Sequence, residues 1–189
     1  MEKVVAVSHG DYDIKFGVLR AEGIVQAQTL AEALGRVISG SGHTRVGYLS
    51  SPLVQDMAFA NAVAYCLEKN RAGPIVKRKH LLPGRDPYAS SGTRPFFASD
   101  KDSQELLKML DKVSEGIDLL VAISEKKVAE GLASVVMRQG NMPVPKEGLE
   151  FEPGAGMYIN LDQEMRRYDQ SYGISRTLIE MPSGKAIKY

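Results

Sequence analysis

The run Lys3 to Asp11, KVVAVSHGD, constrains the chain most. Val4, Val5, Ala6 and Val7 are apolar without in-and-out alternation, which is the pattern of a strand buried on both faces of a sheet. The strand runs directly into a polar turn that presents His9, and Gly10 lets the backbone pass close to a small ligand. Open α/β sheets bind ligands in the crevice outside the carboxyl ends of such strands. His9 is therefore the first candidate functional residue. Its structural alternative is a strand-end histidine hydrogen-bonded to the backbone.

Downstream, the apolar period switches repeatedly between helix and strand. Asp11 to Arg20 is a loop whose Asp11, Tyr12, Asp13 and Lys15 could rim a pocket. From Ala21 to Ile38, Ile24, Ala27, Leu30, Ala31, Leu34 and Ile38 form one helical stripe, with Glu22, Gln26 and Arg36 nearer solvent. Ser39-Gly40-Ser41-Gly42 ends it. Arg45 to Leu49 is a second short strand, and Ser50-Ser51-Pro52 starts a helix that reaches about Lys69. Ile75 and Val76 open a third strand that turns basic through Lys77, Arg78, Lys79 and His80. A long excursion or lid follows at about 82–100, rich in proline and without a persistent period. Ser103 to Ser114 is helical, Ile117 to Ile123 is an apolar strand, and Ser124 is placed to cap a helix from Glu125 to about Gln139. Met157 to Leu161 and Ile174 to Ile179 read as two late strands. The expected fold is α/β, a three-layer α/β/α sandwich with a central, mostly parallel sheet, in one domain over 1–189.

Charge and cysteine content narrow the function classes. The 24 basic and 23 acidic residues leave a formal charge of +1, so no global field draws nucleic acid or an anionic membrane, and any anion site is local. The single cysteine, Cys66, lies in an apolar helical stretch and packs as a small hydrophobe. No basic region leads into an apolar leader, and no apolar run is long enough to span a bilayer, so a soluble cytoplasmic protein is the expectation. Three histidines and one cysteine make no recognisable metal-ligand spacing, and no cofactor is implied. His43 reads as a solvated surface residue.

Four pieces, in order, resemble the histidine phosphatase superfamily, the phosphoglycerate-mutase-like proteins: VVAVSHGD, LRAEGIVQAQTLAEALG at Leu19 to Gly35, YLSSPLVQDMAFANAVA at Tyr48 to Ala64, and LLVAISEKKVAEGLASVV at Leu119 to Val136. The resemblance implies that His9 is the phosphoryl acceptor and that the phosphate pocket is built around it. It also exposes departures. The family's Arg-His-Gly is Ser8-His9-Gly10 here, so the adjacent cation is absent. The arginine that follows the family's Ser-Pro-Leu signature is replaced at Val54-Gln55. The family's late Ser-His-Gly is Ser124-Glu125-Lys126, so a donor has become an acceptor.

Phosphoryl transfer to histidine needs a neutral imidazole with a free ring nitrogen and donors around the equatorial oxygens where charge develops. Losing one such donor costs about 2.7–4 kcal/mol in the transition state. An ionised Glu125 would repel a phosphate dianion and would favour a protonated His9. Replacement cations are available in sequence: Arg20, Lys126 and Lys127, together with Lys77, Lys79, Arg85 and Arg94 from the basic strand and lid. Asp86 is the weak candidate for the proton donor. The leading expectation is a histidine-phosphatase-like protein with lost or strongly impaired phosphoryl transfer, acting in ligand binding or regulation on a phosphorylated small molecule or another anion. The alternatives are an active phosphomonoesterase using His9, and a small polyanion-binding module using Lys77, Arg78, Lys79, Arg85 and Arg94. A solvated edge strand is the plainer account of that basic cluster.

Overall fold

The structure is a computed structural model that describes residues 3–41, 45–51, 53–69, 75–80, 100–145, 148–161, 164–169 and 173–180; at 75–80, 164–169 and 173–180 it describes the backbone. The proposed lid, with Arg85, Asp86 and Arg94, lies outside the described residues, as does His43.

Seven strands form one sheet: β1 (Lys3–Ser8), β2 (Val46–Ser50), β3 (Ile75–His80), β4 (Leu119–Ser124), β5 (Gly156–Asn160), β6 (Glu164–Asp169) and β7 (Gly173–Glu180), in the order β3-β2-β4-β1-β5-β6-β7. The first four strands in that order run parallel, and β5, β6 and β7 continue the sheet antiparallel. Thus β1 is the seam between a parallel half built from crossovers and an antiparallel half built from short connections. Strand β6 was not expected: Glu-Met-Arg-Arg-Tyr-Asp carries almost no apolar signal, and its backbone is held by two neighbours. Among the described residues β3 is an edge of the sheet, and Lys77 and Lys79 lie on it.

The apolar runs of β1 and β4 are divided by their pleat between two cores. Val4 and Ala6, with Leu120 and Ala122, pack against α3 (Asp100–Val113) and α4 (Lys126–Gln139) through Leu106, Leu110, Leu132 and Val136. Val5 and Val7, with Leu119, Val121 and Ile123, pack against α1 (Ala21–Ser41) and α2 (Val54–Lys69) through Leu30, Leu34, Phe59 and Val63. This double covering gives the three layers that the unalternating strand required. It also explains why the carboxyl ends of β1, β2 and β4 share one edge of the sheet, where the helices begin.

Helical details differ from the sequence reading in four places. Helix α1 continues through Ser39-Gly40 to Ser41. Ile24 is exposed rather than part of the core stripe, and Gln26 is turned toward the His9 loop. Ser124 is the last residue of β4, not a helix cap; Glu125 occupies the N-cap position of α4 and makes no side-chain capping bond.

Candidate functional site

Strands β1 and β4 lie side by side with Ser8 opposite Ser124, so His9 and Glu125 emerge at the same end. The main chain fixes this junction tightly. The His9 N–H donates to the Ser124 carbonyl at 2.9 Å, the His9 carbonyl accepts from the Gly154 N–H at 2.9 Å, and the Ser8 N–H donates to the Ala155 carbonyl at 2.9 Å. His9 is thereby held from both neighbouring strands, by β4 on one side and the approach to β5 on the other.

The His9 side chain is oriented as well. Nδ1 lies 2.9 Å from the Gly10 carbonyl, which can only accept, so Nδ1 carries the proton and a neutral ring keeps its lone pair on Nε2. Tyr12 meets the imidazole edge-on, with ring centroids 4.8 Å apart. The following turn leaves no room for a side chain at Gly10: a Cβ there would stand 2.5 Å from Phe59 Cε2 and 2.8 Å from Gln26 Oε1. Gln26 Oε1 accepts the Asp11 N–H at 2.7 Å, so α1 holds the turn from below. Gly23 of α1 likewise admits the Asp11 carbonyl where a Cβ would collide with it.

Beyond Asp11 the chain forms a small hairpin rather than an open rim. Tyr12 and Leu19 bridge, the Asp13 N–H donates to the Val18 carbonyl at 2.8 Å, and Asp13 Oδ1 accepts from the Lys15 and Phe16 N–H groups. The hairpin exposes Ile14, Phe16 and Val18, and Lys15 lies over the Phe16 ring. Of the pocket residues expected here, Asp13 is spent on its own turn, and Asp11 pairs with Arg20 at 3.8 Å.

The supplementary cations from α4 are also committed. Glu130 is buried and takes Lys127 Nζ at 2.9 Å and Lys126 Nζ at 4.0 Å, while its other function is to accept the Phe151 N–H at 3.0 Å. Gln55 sits buried in the first turn of α2, and Ser8 and Ser124 are buried at their strand ends. Lys77 and Lys79 occupy β3, in register with β2 near Leu49. Among the described residues, no arginine or histidine stands at the three positions where the resemblance expected one.

A residue that sequence reasoning passed over lies at the same end. Asp56, one position after Gln55, is fully buried. Its carboxyl receives the Ser51 hydroxyl and the backbone N–H of Glu125. Desolvation pushes its pKa up to about 7; the Glu125 carboxylate adds to the rise, and the two hydrogen bonds oppose it. Asp56 Oδ1 and Ser124 Oγ are both buried without a hydrogen-bond partner among the described residues. The sequence signal was a charged residue on the apolar face of a helix, between Gln55 and the core position Phe59.

The sheet order and the paired ends of β1 and β4 give the three-layer α/β/α architecture expected from the sequence. Solved structures similar to the chain include the protein histidine phosphatase SixA complexed with tungstate, at 17% identity and a TM-score of 0.48 over 92% of each chain. A mycobacterial glucosyl-3-phosphoglycerate phosphatase is similar at 13% identity and 0.48, over 95% of this chain and 98% of the other. YhfR of Bacillus stearothermophilus is similar at 13% and 0.47, over 97% of each. No family model and no curated protein matches the sequence. Among the described residues no group of three or more His, Cys, Asp or Glu side chains could hold a metal ion, and no helix is long and apolar enough to cross a membrane.

Proposed function

We propose that this is a histidine-phosphatase-like protein whose phosphoryl-transfer capacity is lost or strongly impaired, and whose site at the ends of β1 and β4 serves ligand binding or regulation. One observation carries the reading: where the resemblance has arginine, arginine and histidine, this chain has Ser8, Gln55 and Glu125, while the described cations Arg20, Lys126 and Lys127 are paired with carboxylates. A phosphoryl group needs positive charge and fixed donors where its own charge develops, and Ser8, Gln55 and Glu125 supply neither guanidinium nor imidazolium.

The second reading, an active phosphomonoesterase, draws support from a different observation. His9 donates from Nδ1 to Gly10 and keeps Nε2 for bond formation, which is the tautomer a nucleophilic histidine requires. The positioning of the nucleophile and the means of stabilising the transferred group are separable, and the described residues retain the first.

Hydrolysis of an aryl phosphate separates the two. The expected result is turnover no greater than that of His9→Ala, with no phosphohistidine accumulating. Robust turnover that His9→Ala abolishes overturns the first reading in favour of the second. A calorimetric titration with inorganic phosphate or vanadate sharpens the result. The triple variant Ser8→Arg, Gln55→Arg, Glu125→His is expected to bind the anion more tightly than the parent, because guanidinium forks and the loss of a carboxylate both favour it. Equal or weaker binding by the folded variant would remove Ser8, Gln55 and Glu125 from the pocket.

A further inference from the structure

We propose that the hairpin following His9 is the association surface for a second copy of this chain, the two copies packing through Ile14, Phe16, Val18 and Val54. The large apolar side chains exposed among the described residues are not scattered: Ile14, Phe16, Val18, Ile24, Val25 and Val54 stand at this corner, and Tyr65 lies apart from them. Ile14, at 83% exposure, Phe16, at 64%, and Val18 belong to the hairpin closed by Tyr12 and Leu19. Its turn rests on Val54, the first residue of α2, so closely that a Cβ on Gly17 would stand 3.2 Å from two Val54 carbons. Ile24 and Val25 follow in the first turns of α1, which the hairpin enters through Arg20. Helical side chains lean toward the N-terminus of their helix, here toward the hairpin.

Size and charge choose the occupant. Monomers rarely expose a contiguous apolar patch larger than about 300–600 Å². A standard interface takes about 800 Å² from each partner, a little over half of it apolar, and six large apolar side chains at about half exposure or more supply that apolar share. The rim carries both signs. Lys15, with Nζ 5.1 Å from the centre of the Phe16 ring, Arg20 and Glu22 are exposed, and Asp11 and Asp13 are half-buried beside them. Asp11 pairs with Arg20, and Asp13 Oδ1 accepts the Lys15 and Phe16 N–H groups. A rim of mixed sign can complement itself across a two-fold axis, where each patch meets its own copy. The same rim offers no net attraction to an anionic bilayer, and a formal charge of +1 per chain sets up little repulsion between copies.

The association surface adjoins the His9 turn. The hairpin begins at Tyr12, whose ring meets the His9 ring edge-on at 4.8 Å, and its base is tied to α1 by the Asp11 N–H on Gln26. Packing the hairpin against a second copy therefore restrains the Tyr12 contact, and the surroundings of the His9 ring differ between the single chain and the pair. The inference is independent of whether His9 transfers a phosphoryl group.

The test is sedimentation equilibrium of the full chain over a wide range of concentration, with amide NMR spectra of the same samples. The expected result is a mass that rises from that of the 20.7 kDa chain toward twice that value, with the His9, Phe16 and Val18 amide resonances moving at the same midpoint. Phe16→Asp should weaken the dimer ~100-fold or more, because it places a charge at the centre of an apolar contact. Ile14→Ser should weaken it ~10-fold through lost apolar burial. Tyr65→Asp, about three turns along α2 from Val54, should leave it unchanged. All three variants should melt like the parent at dilution, since the side chains they replace are exposed. A single 20.7 kDa species at every concentration overturns the proposal, as does a dimer that neither Phe16→Asp nor Ile14→Ser weakens. Co-sedimentation of a monomeric chain with anionic phospholipid vesicles, lost in Phe16→Asp, assigns the hairpin to a lipid surface and overturns it as well. Because the mass of the parent is read without any substitution, the proposal remains falsifiable if a variant fails to fold.

Discussion

At the end of β1, the His9 turn is held by hydrogen bonds to Ser124, Gly154 and Gln26 and by the internal bond from Nδ1 to Gly10, whereas at the starts of α2 and α4 a buried carboxyl and a buried hydroxyl each have an atom without a partner among the described residues. The two corners belong to adjacent strands and lie under the same helical layers. Their difference teaches that the geometry of the His9 turn and the electrostatics of its surroundings are specified independently. The first depends on backbone bonds and on glycine, which few side-chain exchanges disturb. The second depends on the identities of single side chains at the starts of α2 and α4, and there the chain has carboxyl and amide groups.

The contrast can be broken hardest at Phe59, which is fully buried in the core shared by α1 and α2 and also walls Gly10. Phe59→Ala should cost about 3–5 kcal/mol by chemical denaturation. It should also loosen the His9 turn, seen as faster exchange of the His9 and Asp11 amides. A large stability loss with those amides still protected would show that the turn is independent of the core beneath it.

Gln26→Ala offers a narrower intervention. It leaves the Asp11 N–H without its acceptor at a half-buried position and should cost about 1–2 kcal/mol. If the Asp56 titration is unchanged in this variant, the two corners are independent; a moved midpoint would couple them. The smallest effect is expected at Lys127, whose ammonium is largely exposed although Glu130 is not. Lys127→Ala should change stability by about 0–1 kcal/mol, because the exposed partner gains little in water and Glu130 keeps the Phe151 N–H. A larger loss would mean that the Lys127–Glu130 pair contributes to the packing of α4 on Phe151.

Much of the fold was legible because burial on both faces leaves an unmistakable record in β1 and β4, and because the α1, α2 and α4 stripes recur at helical spacing. The junction of β1 with β4, and with it the common placement of His9 and Glu125, is what the order of the four segments resembling the histidine phosphatase superfamily implied. Strand β6 was illegible because pairing on both sides stabilises a polar segment through backbone bonds that composition does not report. Gln26 was misread for a related reason: a polar amide on a helix looks solvated unless the close passage of the Asp11 backbone is known. Asp56 was missed because its significance comes from Ser51 and Glu125, and the Glu125 contact lies far along the chain. The helix start at Ser51 was partly correct: its hydroxyl accepts the Leu53 N–H at 3.3 Å, yet it also engages Asp56.

The absence of a Cβ at Gly10 and Gly23 reaches beyond local packing. Where main chain rests on main chain and on a phenylalanine ring, a single added methyl is a steric event, and substitution there should be tolerated poorly whatever its chemistry. Ser8, Gln55 and Glu125 stand at the ends of regular elements instead, where exchanging one head group for another does not redraw the path of the chain. A saturation scan should divide the site accordingly, into positions intolerant of size and positions permissive in charge.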